Sequence, residues 1–92
     1  MFSHDATLEF EYETPSRARL VAESVSREIG EIDDARSQTT IETADESGES
    51  TVRIEIVAAD VIALRAALNT WFTLVDVAER TADIGEAAFE AN

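Results

Sequence analysis

Ninety-two residues make one domain, near the lower end of the size at which a single hydrophobic core suffices without staples. The chain has no cysteine, which excludes disulfides, thiolate metal sites and cysteine nucleophiles and makes a reducing cytoplasmic location the expectation. Twenty acidic residues stand against seven basic ones, all arginine, for a net charge of −13; loss of every lysine goes beyond what solubility requires and points to adaptation to high intracellular salt.

Taken in chain order, the N-terminal MFSHDATLEF lacks the basic region and apolar core of a signal peptide. Residues 6 to 13 alternate, with Ala6, Leu8, Phe10 and Tyr12 on one side and Thr7, Glu9, Glu11 and Glu13 on the other, which predicts a half-buried strand. Thr14 then offers an N-cap with Pro15 at the first helical position. Ala18, Val21, Ala22, Val25 and Ile29 share one helical face, Leu20 sits opposite it, and Gly30 is the expected stop. An acidic connector, residues 31 to 37, leads to a strand over Gln38 to Thr43, a turn over Ala44 to Glu49 containing Gly48, and a second strand over Ser50 to Val57. In that last strand Val52, Ile54 and Ile56 alternate with Thr51, Arg53 and Glu55.

Asp60 caps a long helix, Asp60 to Arg80, and the acidic tail 81 to 92 is expected to fray or form a short final turn. The expected fold is a two-layer α+β domain over residues 1 to 80: a three-stranded, largely antiparallel sheet with two helices on one face, in the order strand-helix-strand-strand-helix. Along the long helix the apolar residues spread over an arc of roughly 200°, whereas one core face asks for about 100° or a little more. Arg65, Asn69, Thr73, Asp76 and Arg80 form the polar stripe, which Ile62 interrupts. Those polar residues also break the helix as a membrane span, so no membrane partner is expected. The surplus apolar arc predicts a second surface and a protein partner.

Chemistry finds little support. Ser3-His4-Asp5 are chain neighbours in an extended segment and cannot orient one another as a triad. The acidic clusters Glu31, Asp33, Asp34 and Asp45, Glu46, Glu49 lack calcium-loop spacing, and the only histidine is His4, so no metal or cofactor is expected. The glycines at 30, 48 and 85 make neither a phosphate loop nor the GxxG clamp of a KH domain.

Ala59-Asp60 followed by Ala63-Leu64-Arg65-Ala66-Ala67-Leu68-Asn69-Thr70-Trp71 resembles the signature of the small dimerising subunit of the KEOPS complex, the Pcc family. Arg36-Ser37 at the start of the second strand and the element order extend the resemblance over roughly residues 6 to 80. The resemblance implies a non-catalytic homodimer that binds the catalytic threonylcarbamoyl transferase subunit of KEOPS through its helices. That complex modifies the adenosine next to the anticodon, and tRNA would be met through the assembly. On this chain the partner-binding candidates are Leu20, Leu64, Leu68, Phe72 and Val75, and possible tRNA contacts are Arg53, Arg65 and Arg80. At roughly 1 M salt the Debye length is about 3 Å, so the negative charge does not forbid an RNA partner. The competing reading is a self-contained acidic homodimer, regulatory or nucleic-acid-mimicking.

Overall fold

The computed structural model describes residues 2–32, 34–46 and 49–90. Its elements are β1 (His4–Tyr12), α1 (Pro15–Ser26), the one-turn α2 (Ile29–Ile32), β2 (Ser37–Glu46), β3 (Glu49–Ala58) and α3 (Val61–Glu90). β3 lies between β1 and β2 and pairs antiparallel with both. β1 and β2 therefore run parallel without touching, and α1 makes the crossover between them over one face of the sheet.

The register places every apolar alternation on that face. Leu8 opposes Ile54, which opposes Ile41; Phe10 opposes Val52, and Ala6 opposes Ile56. Val52, Ile54 and Ile56 on the central strand are fully buried beneath Val21 and Val25 of α1 and Trp71 and Val75 of α3. Each large side chain withdrawn in this way contributes about 1.5–3 kcal/mol before entropy is counted. The outer face stays wet, and one of its rungs reads Glu9–Arg53–Glu42.

The α1 cap forms as its sequence predicts: the Thr14 hydroxyl accepts the Arg17 N–H at 3.2 Å with Pro15 at the start. The stop does not fall at Gly30. α1 ends at Ser26, where the Glu28 N–H turns back to the Val25 carbonyl at 3.0 Å, and Gly30 lies inside α2. Ser24 and Ser26 hydroxyls bond back to the carbonyls of Leu20 and Ala22, a competition with the backbone that disfavours continuation. The hairpin ladder runs past Thr43 through Asp45↔Ser50 to Glu46↔Glu49, because backbone pairing persists where side chains turn polar. Gly48 lies outside the described residues, as does Asp33 of the connector.

The largest departure is at the C-terminal end. α3 continues through Thr81–Glu90 instead of fraying after Arg80. Ala82 is buried, and Asp83 forms an ion pair with Arg17 of α1, so the extra turns have a tertiary anchor. That length also corrects the membrane argument: Val61–Ile84, at 24 residues and mean hydropathy 1.4, is long and apolar enough to span a bilayer by length and composition. Its buried face is committed to the sheet through Ala67, Trp71 and Val75.

Candidate protein-docking surface

α3 starts where it does because Asp60 is held from two sides. Its Oδ1 accepts the Ala63 N–H at 2.8 Å, and its Oδ2 takes the Arg36 guanidinium at 2.5 Å. The Ala63 N–H, followed by Arg36, holds the Asp60 carboxyl below the ordinary carboxylate range, and Asp60 in turn raises Arg36. Arg36 is itself aimed by the turn before β2, in which Asp34 Oδ1 accepts the N–H groups of Arg36 and Ser37 at 2.7 and 3.1 Å. The two residue pairs Arg36-Ser37 and Ala59-Asp60 thus meet in space, and the Ala59 N–H donates to the Arg36 carbonyl at 2.8 Å. Beside this junction lies an open groove of about 350 Å³, floored by Ala63, Ala66 and Ala67 and edged by Ile62 and Thr70.

The rotation of α3 is fixed by two further contacts. The indole N–H of Trp71, fully buried, donates to the Thr39 hydroxyl of β2 at 3.1 Å. The Tyr12 hydroxyl of β1 donates to Glu79 at 2.7 Å; burial first and Glu79 second push its pKa well above the usual phenol value. Arg17 adds a bond to the Glu79 carbonyl at 3.3 Å.

With α3 so oriented, the partner-binding candidates separate. Leu20 on α1 and Phe72 on α3 are half exposed, at 49% and 51%. Leu64 and Leu68 are half-buried at the edge of the core. Val75 is 1% exposed and belongs to the core, so it offers nothing to a partner. It falls on the sheet-facing stripe with Trp71 and Ala78, a position the helical arc contained but could not rank. The surface also exposes Val61, Ile62, Val77 and Ile84, at 53 to 75%. The sequence signal for Val61 and Val77 was present in the overwide arc, whereas Ile62 interrupts the polar stripe and Ile84 falls in the acidic tail; only the placement of the sheet shows which side of the arc is free.

The arginine candidates separate as well. Arg53 pairs with Glu9 at 3.1 Å on the outer sheet face, and Arg80 pairs with Asp76 at 3.1 Å one turn away. Arg65 is exposed and has no ion-pair partner among the described residues; the residues one turn away on either side are Val61, Ile62, Leu68 and Asn69, none of them acidic. It stands in an apolar patch with Val61, Ile62 and Ala66. The three arginines lie on different surfaces and form no basic groove. The described residues contain no group of three or more His, Asp or Glu side chains arranged to hold a metal.

A family model described as Transcription factor Pcc1 matches residues 5–83, from the second residue of β1 through the junction at Asp60 and along α3 as far as Asp83. No curated protein matches the chain.

Proposed function

Because the chain belongs to the Pcc1 family, the family of a subunit of the KEOPS tRNA-modifying complex, we propose that it is the dimeric scaffold subunit which docks the catalytic threonylcarbamoyl transferase. The observation that carries this reading is the exposed apolar surface of the two long helices: Leu20 on α1, and Val61, Ile62, Phe72 and Val77 on α3. A chain with −13 net charge has polar residues to spare, so large side chains left uncovered on one layer are a docking surface in want of a partner. The role is accessory. Its contribution to modification is to hold the transferase in the assembly, in the cytoplasm, and tRNA meets the complex as a whole with Arg65 as this subunit's one unengaged candidate contact among Arg53, Arg65 and Arg80.

The word transcription in the family's description suggests DNA binding by the isolated domain, and the charge argues against that. The outer sheet face carries Asp5, Glu9, Glu11, Glu42 and Glu55 around a single Arg53 that is already paired. That acid-rich face instead favours the second reading, a nucleic-acid mimic acting as a self-contained dimer.

Co-expression separates the two. Together with the transferase subunit, the chain is expected to purify as a stable complex in molar salt. Ile62→Asp combined with Val77→Asp is expected to abolish the complex while Trp71 emission stays that of a buried indole. A correctly folded chain that ignores the transferase overturns the scaffold reading.

A further inference from the structure

Beyond Arg80, α3 runs on through residues 81–90 against its local chemistry. Gly85 is a poor helix former, Asp83, Glu86 and Glu90 put negative charge at the negative end of the helix dipole, and the last turn carries no basic residue to oppose it. A stretch of this kind does not stay helical on its own account. What holds it comes from the other helix, at Arg17 in the first turn of α1.

The Arg17 guanidinium donates to the Glu79 carbonyl at 3.3 Å and to the Asp83 carboxylate, so one side chain grips both ends of a single turn of α3. Ala82 within that turn is buried, and the Tyr12 hydroxyl holds the Glu79 side chain. The Arg17 side chain is itself only 19% exposed, whereas both members of the Arg80–Asp76 pair nearby are well exposed. Salt therefore screens the surface pair first, and the Arg17 clamp keeps more of its strength at high ionic strength.

The extra turns present something on a different side of the helix. Ile62, Ala66, Thr73, Val77 and Ile84 follow one another at steps of four or seven residues and are all exposed, Ile62 at 75% and Ile84 at 71%. They make one line about 33 Å long; a helix ending at Arg80 would stop the line at Val77, about 22 Å from its start. We propose that Arg17 is a positioning residue for docking: by clamping Asp83 it keeps α3 helical past Arg80 and so adds Ile84 to the stripe on which the transferase seats. This rests on the scaffold reading and deepens it. The stripe is continuous with Ile62 and Val77, already assigned to that partner, and its reach is set by a contact made elsewhere on the helix.

Asp83→Ala separates the clamp from local propensity, because alanine is the better helix former and the Asp83 side chain is 67% exposed. Propensity predicts a firmer tail, and the clamp predicts a looser one. Hydrogen exchange on the intact chain in about 1 M salt reads the difference. Amides of residues 81–90 should lose protection about tenfold or more in both Asp83→Ala and Arg17→Met, while Trp71 emission and protection in the first half of α3 stay unchanged. Titration with the transferase subunit gives the second readout. Ile84→Ser should raise the dissociation constant about tenfold, Asp83→Ala should match it, and the two together should be no worse than either alone, since both remove the same contact. Unchanged exchange in both clamp variants, or additive losses in the double variant, overturns the proposal and leaves the scaffold reading standing. Ile84→Ser with normal transferase affinity also overturns it, and weakened self-association in that variant assigns the stripe to a second copy. A wild-type chain that does not bind the transferase overturns the scaffold reading and the occupant of the stripe together, whereas the exchange result decides the clamp by itself.

Discussion

Two side chains at the margins of the core carry pH behaviour with opposite signs. Asp60 has its carboxyl held low by the Ala63 N–H and by Arg36, so its contribution to stability is present above the unfolded carboxylate value, about 3.9, and is lost as pH falls through the folded one. Thermal melts near neutral pH should rank wild type above Asp60→Asn, which keeps the cap and loses the ion pair, and Asp60→Asn above Asp60→Ala, which loses both. Tyr12 behaves in reverse. Its folded pKa is raised by burial and by Glu79, so its contribution is full below the unfolded value of about 10 and disappears as pH rises through the folded one. It is the sole tyrosine, and tyrosinate absorbance should therefore appear only above the usual range until the chain unfolds. Tyr12→Phe should cost roughly 1 kcal/mol in urea unfolding and abolish that alkaline loss. Asp60 was legible as a cap from its place before the helix. Its bond to Arg36 was not, since twenty-four positions separate the two and only the β3–β2 pairing brings them together.

At the scale of elements, α3 makes the clearest case for what periodicity can and cannot say. The arc wider than one core face was visible in the chain, and it holds both the inner residues Ala67, Trp71 and Val75 and the outer residue Val77. Which were which was not visible, because an apolar side chain is the same on either side until a sheet occupies one of them. Val75 shows the cost of that ambiguity. Val75→Asp should prevent folding outright, with Trp71 emission shifted to that of an exposed indole, by placing an unpaired charge in the core. The same change at Val77, 53% exposed, should leave the free energy of urea unfolding within about 0.5 kcal/mol of wild type. The helix's length was also hidden. Residues 81–90 are mostly small or acidic, and they remain helical on the strength of the buried Ala82 and the Asp83–Arg17 pair, both tertiary effects.

The whole molecule pairs a strongly negative surface with an uncovered apolar one. With −13 net charge and five acidic side chains among the described residues of the outer sheet face, self-repulsion should lower stability at low ionic strength. Raising salt from about 0.15 M to about 1 M is expected to raise the melting temperature, and an unchanged value would show that the carboxylates lie too far apart to matter. By itself the sequence determined the element order, the strand alternations, both helix caps and the surplus of apolar surface, because each follows from periods of two or 3.6 residues and from local capping chemistry. Only the tertiary structure decided which side of α3 is free and which arginines are already paired. Those properties arise between residues distant in the chain, where β3 inserts between β1 and β2 and fixes the rotation of the helices above them.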